Sequence, residues 1–94
     1  MPVPPPPAVP ALDPDVSLAE TDDGAVLLHQ RTGRYWQLNR TGVQVLRRLT
    51  EGWPAERIAA ELATRHQIDT DAAHGDVTRL IEGLTSARLL RMPS

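Results

Sequence analysis

The sequence predicts an α+β domain over residues 15–94, three short antiparallel strands followed by three helices, behind a proline-rich disordered tail over residues 1–14. Three observations lead there. Strand-like segments at residues 16–21, 25–30 and 35–38 are separated by two glycine-bearing turns, Asp22-Asp23-Gly24 and Arg31-Thr32-Gly33-Arg34. At Asn39 the apolar spacing switches to that of an amphipathic helix and stays helical to about Ala87. Strands that come first and helices that follow make an α+β order.

The tail holds seven of the chain's nine prolines before Asp15. Proline fixes φ and has no backbone donor, so this segment is expected to be extended or disordered. Val16-Ser17-Leu18-Ala19 alternates apolar and polar residues, and the next segment, from Ala25, is apolar enough to be central. Gly33 suits the positive φ of the second hairpin connection. In the third strand Trp36 and Leu38 share one face, while Tyr35 and Gln37 share the other. A three-strand meander leaves that third strand at an edge.

Asn39, or failing it Thr41, caps the first helix, whose stripe is Val43, Leu46 and Leu49. Gly52 ends it in the left-handed conformation, and Trp53 packs back on it. The second helix, residues 54–66, starts at Pro54 and carries Ile58, Ala59, Leu62 and Ala63 inward. Asp69 or Thr70 caps the third, whose stripe is Val77, Leu80, Ile81, Leu84 and Ala87, with Asp76 at its edge. Gly75 and Gly83 each weaken that helix by about 1 kcal/mol relative to alanine. They leave room for a neighbouring backbone, or simply make the helix soft. Leu89-Leu90-Arg91 returns to close the core. The whole reads as winged helix-turn-helix-like with the hairpins leading.

Composition excludes several functions. The chain has 94 residues, enough for one small domain, and no cysteine, so it has neither disulfide nor thiolate chemistry. Its net charge is −2 and all 10 basic residues are arginine, which disfavours a phosphate backbone as partner. No apolar run is long enough to span a membrane and the N-terminus lacks secretory signal features, so a cytoplasmic setting is expected. His29, His66 and His74 have no metal-ligand spacing. Ser17 and Ser86 lie in no nucleophile context, and nothing pairs with Asp76 as an acid or base. No cofactor, metal or catalytic residue is therefore expected.

From Val26 to Leu90 the chain resembles the PqqD-like family, the recognition elements for ribosomally made and modified peptides. The matching residues are Arg31-Thr32-Gly33-Arg34-Tyr35-Trp36-Gln37-Leu38-Asn39-Arg40-Thr41-Gly42, then Leu49-Thr50-Glu51-Gly52. Asp76-Val77, Leu80-Ile81, Leu84 and Leu89-Leu90 complete them. Departures are small: Leu80-Ile81 replaces a common Phe-Leu pair, and Ala87-Arg88 stands where a glycine often precedes the last leucines. Within the family the chain is most similar to the free-standing B1 proteins of lasso-peptide biosynthesis, PqqD-family chaperones.

The resemblance implies a non-catalytic module that binds the leader segment of a precursor peptide by strand addition. It places the strand side of the site at Arg34, Tyr35, Trp36, Gln37 and Leu38. The helix side is Ala73, Asp76, Val77, Arg79 and Leu80, with Arg34 and Arg79 as rim cations for acidic leader positions. Lasso leaders generally offer a Tyr-x-x-Pro pattern and a nearby leucine, suited to an apolar groove. The implied partners are the leader, a transglutaminase-like leader peptidase (the B2 protein) and a cyclase. Three alternatives remain open: a winged-helix DNA-binding regulator, a chaperone for pyrroloquinoline quinone synthesis, and an adaptor working through the tail.

Overall fold

The computed structural model describes residues 7–93, and the elements follow the expected order. A short β1 (Ala11–Leu12) precedes β2 (Val16–Thr21), β3 (Gly24–His29) and β4 (Tyr35–Asn39). Helices α1 (Arg40–Thr50), α2 (Ala55–His66) and α3 (Thr70–Ser86) come next, and β5 (Leu90–Arg91) closes the chain. The three longer strands form an antiparallel sheet in the order β2-β3-β4, with β4 at an edge. Gly24 pairs with Thr21 across a two-residue turn, and Arg40 of α1 donates to the Asp22 carbonyl at 2.9 Å, tying that turn to the helix start.

The strand faces divide as alternation requires. Leu27 and Leu38 are buried and Trp36 is half-buried, whereas Tyr35 and Gln37 are exposed. The helices lay Val45, Leu46 and Leu49, then Ile58, Ala59 and Leu62, then Ala73, Val77 and Leu84 into the same core. Leu80 and Ile81 of the expected α3 stripe are only partly covered, as is Val43 of α1.

Local chemistry ends each helix where it must. The Asn39 side chain accepts from the Gly42 amide at 2.8 Å, and the Asp69 side chain accepts from the Ala72 amide at 3.3 Å. Gly52 has φ 93°, letting the Trp53 amide return to the Arg48 carbonyl at 3.0 Å. The Trp53 indole then lies under two guanidinium groups, Arg48 at 4.3 Å and Arg57 at 3.7 Å from the ring centre. That contact ties the end of α1 to the start of α2. At the end of α3, Arg88 adopts φ 61°, a left-handed position that glycine suits better. Its turn sends the Leu89 amide to the Leu84 carbonyl at 2.9 Å and buries Leu89 completely.

The structure corrects the boundary of the tail. Ala11 and Leu12 pair with Arg91 and Leu90, the Asp13 amide donates to the Leu89 carbonyl at 3.0 Å, and Pro10 is buried. Between Pro10 and Pro14 the chain regains three consecutive amides, enough for one short strand. Residues 1–6, the rest of the proline-rich run except Pro7, lie outside the described residues.

The two α3 glycines part company. A Cβ on Gly83 would stand 2.8 Å from Cη2 of Trp36, so the missing methyl is the seat of the indole, a side chain where sequence reasoning suggests a backbone. A Cβ on Gly75 would meet only an Arg79 guanidinium nitrogen at 3.7 Å. Gly75→Ala is therefore expected to stabilise the protein by about 0.5–1 kcal/mol. Gly83→Ala gains the same helix preference but displaces Trp36, and should be no more stable than the parent. Urea unfolding of both variants checks the contrast.

Glu61 of α2 joins the α1–α2 contact, accepting from Gln44 and from Arg48 at 3.3 Å. Burial alone would raise its carboxyl, but the hydrogen bonds from Gln44 and Arg48 and the charges of Arg48 and Arg65 hold it below its ordinary value. A depressed carboxylate stabilises the fold above its unfolded-state pKa, and that stabilisation is lost as pH falls through the folded-state value. Glu61→Gln should thus lower stability at neutral pH and flatten the acid limb, as read from unfolding midpoints between neutral and acid pH.

Candidate functional site

A groove of about 330 Å³ opens between β4, the start of α1, the end of α2 and the middle of α3. Its apolar wall is built from Trp36 and Leu38 on the inward face of β4, Val45 of α1, Leu62 of α2, and Val77 and Leu80 of α3. Polar groups sit around it: Gln37 and Asn39 on the strand, Thr41 beside the α1 cap, His66 at the end of α2, and Asp76 on α3. Ile68, in the α2–α3 connection, also lines it and is 42% exposed.

The strand edge along this groove has free backbone groups, and the register says which. The His29 amide donates to the Arg34 carbonyl at 2.8 Å, so that opposed pair is a hydrogen-bonded one. Bonded and non-bonded pairs alternate in an antiparallel ladder. Leu27↔Trp36 and Ala25↔Leu38 are then bonded pairs, directing the backbone groups of Trp36 and Leu38 toward β3. Those of Tyr35, Gln37 and Asn39 point the other way, off the edge of the sheet.

Six of the sequence-predicted residues meet in the groove: Trp36, Gln37, Leu38, Asp76, Val77 and Leu80. Ala73 is fully buried one turn from Val77 and supports the wall from behind. Tyr35, 68% exposed, stands on the face of the sheet opposite the groove. Arg34 is exposed beside it. Arg79 is ion-paired with Asp76 one helical turn away, and the Asp76 carboxylate offsets its charge. The residues missed from sequence are mainly those contributed by α1 and α2. Asn39 and Thr41 read as cap candidates and, with Gly42, as part of the family motif but not as site residues, and His66 and Ile68 read only as a helix end and connection. A lone isoleucine in a polar connection was the available signal.

Asp13, Asp15 and His29 also come together, their candidate ligand atoms within 4.8 Å of one another. They are already engaged. His29 Nδ1 accepts from the amides of Arg31 and Thr32 at 3.3 and 3.4 Å, which places the ring proton on Nε2, 3.8 Å from Asp13 Oδ1. Asp13 Oδ1 also accepts from the Asp15 amide at 2.9 Å. The cluster fastens the segment before β2 to the β3–β4 connection. Among the described residues, no helix is long and apolar enough to cross a membrane.

The family model described as coenzyme PQQ synthesis protein D (PqqD) matches residues 24–90. The chain belongs to the PqqD family. This PqqD-family chain matches no curated protein sequence, but three solved structures are close to it. One, described as lasso peptide synthetase B1 complexed with the leader peptide, is 34% identical, with a TM-score of 0.81 over 88% of this chain and 98% of that one. TbiB1 in complex with the TbiA(beta) leader peptide is 29% identical, with a TM-score of 0.73 over 84% and 92%. The PqqD truncation of Methylobacterium extorquens PqqCD, a stand-alone recognition element, is 28% identical, with a TM-score of 0.67 over 87% of both chains.

The edge geometry makes a folding prediction free of any ligand. Gln37→Pro removes an amide that faces off the sheet and should leave the protein folded, whereas Trp36→Pro removes a ladder donor and should unfold it. Far-ultraviolet circular dichroism with thermal melts distinguishes the two.

Proposed function

We propose that this chain binds the leader segment of a ribosomally synthesised precursor peptide and holds it for the maturation enzymes of lasso-peptide biosynthesis, with no turnover of its own. One observation carries the reading: the outward backbone groups of Tyr35, Gln37 and Asn39 run beside a preformed apolar groove. A peptide strand added there gains main-chain hydrogen bonds that tolerate varied sequence, while its inward side chains meet Trp36, Leu38, Val77 and Leu80. Arg34 and the Asp76–Arg79 pair stand ready at the rim for charged leader positions.

Support comes also from two structural relatives that hold leader peptides, the nearer at 34% identity. The lasso assignment is preferred to pyrroloquinoline quinone synthesis because the PqqD truncation is the more distant of the three, with a TM-score of 0.67. A DNA-reading role is disfavoured by the net charge of −2 and by α3, whose apolar stripe is spent on the core and groove. In this reading the further partners are a transglutaminase-like leader peptidase, the B2 protein, and a cyclase, and the setting is cytoplasmic.

Fluorescence polarisation with the labelled leader of the precursor encoded beside this chain tests the proposal. Saturable binding at micromolar protein is expected. Gln37→Pro should weaken it at least tenfold, about 1.4 kcal/mol, and Gln37→Ala by no more than about threefold, because alanine keeps the donor. Folded Gln37→Pro protein that binds as tightly as the parent would show that the leader does not pair with β4.

A further inference from the structure

Among the described residues one polar side chain is buried with the core: His29, 6% exposed, at the end of β3. It lies outside the groove. Burying a polar ring costs free energy unless its nitrogens find partners. Those of His29 find them in two directions. Nδ1 accepts from the Arg31 and Thr32 amides at 3.3 and 3.4 Å, inside the connection that leads to β4. Nε2 faces Asp13 Oδ1 at 3.8 Å. The His29 backbone grips the same connection, its amide donating to the Arg34 carbonyl and its carbonyl accepting from the Gly33 amide, both at 2.8 Å.

We propose that His29 is a positioning residue for the added strand: its imidazole, oriented by Asp13, holds the β3–β4 connection closed and so fixes the outward backbone groups of Tyr35. The proposal rests on the strand-addition reading. Tyr35 lies one residue past Arg34, where the connection ends, and its amide and carbonyl point off the sheet. Their direction is held by the neighbours alone, the Trp36 ladder pair on one side and the His29–Arg34 closure on the other. An incoming strand that meets a frayed Tyr35 must order it first, and that ordering subtracts from affinity. Gln37 lies between two ladder pairs and does not depend on the connection.

Asp13 is a firm anchor for the far nitrogen. Its amide donates to the carbonyl of the fully buried Leu89, just beyond α3. A chain of contacts therefore runs from the end of α3 through Asp13 and His29 to the start of β4, the two elements that face each other across the groove. The carboxylate also selects the tautomer. It only accepts, so it draws the ring proton to Nε2 and leaves Nδ1 as an acceptor for the connection. Asp15 braces the same connection, its carbonyl accepting from the Gln30 amide at 2.9 Å.

Asparagine and glutamine separate the two nitrogens. Asparagine carries its oxygen on Cγ, where histidine carries Nδ1, while glutamine carries its oxygen one bond farther out, near Nε2. The test uses the full chain and the labelled leader of the precursor encoded beside it, at a temperature where circular dichroism shows each variant folded. His29→Gln should weaken leader binding at least about fivefold, and His29→Asn by no more than about twofold. Asp13→Ala should weaken binding about threefold in the parent and leave it unchanged in His29→Asn, whose acceptor needs no orienting partner. A general loss of stability would not produce that non-additivity. Deuterium exchange at the Arg31 and Thr32 amides should quicken in His29→Gln and not in His29→Asn. Parent-like leader affinity in folded His29→Gln overturns the proposal. So does His29→Asn protein as weak as His29→Gln, which would assign the effect to the bulk of the ring. Should His29→Gln fail to fold, the Asp13→Ala comparison decides, and equal losses in both backgrounds overturn the proposal. If the parent binds no leader, strand addition falls and the pairing role with it, whereas exchange that quickens in His29→Gln still establishes the hold on the connection.

Discussion

The indole of Trp36 resting on Gly83 fixes how far β4 stands from α3, and the groove is the space that this distance leaves. Any side chain at position 83 would lift the ring. The same ring forms part of the groove wall, so one contact both supports the fold and shapes the site. Residues with such double duty are sensitive to small changes, because an interior packed like a crystal transmits displacement. Leu38 behaves alike: it is buried, touches the space over Gly42 at the start of α1, and still presents surface to the groove.

Around that contact the helices are held by chemistry at their ends. Asn39 caps α1 where β4 stops, so strand and helix share a corner and the edge cannot slide against the helix start. Trp53 between Arg48 and Arg57 sets the turn from α1 to α2. The left-handed Gln67 then ends α2 and brings Ile68 to the groove. At the far side, the β1–β5 pair and the Asp13–His29 contact bind both ends of the domain to the sheet and core.

Strand β4 has three separate uses, divided by backbone geometry. Its inward side chains belong to core and groove, its alternate backbone groups to β3 or to the free edge, and its outward side chains to the far face. In the proposed mode of binding, recognition through backbone groups and selection through wall residues are thereby separable. One strand can serve a fixed scaffold and a varied ligand at once.

The sequence by itself determined the order of elements, the caps at Asn39 and Asp69, the turn at Gly52, and the inward and outward faces of β4. Each is a local matter of φ preference, side-chain hydrogen bonding or period, readable within a few residues. The groove residues on β4 and α3 were legible only through a family resemblance. Tertiary structure decided the rest. It brought His66 and Ile68 to the groove from a segment that reads as a helix end. It gave Gly83 an indole as its neighbour. It also paired Ala11 with Arg91 and Leu12 with Leu90, residues at opposite ends of the domain. Such contacts depend on how separate elements pack in space, and no local period or propensity encodes that meeting.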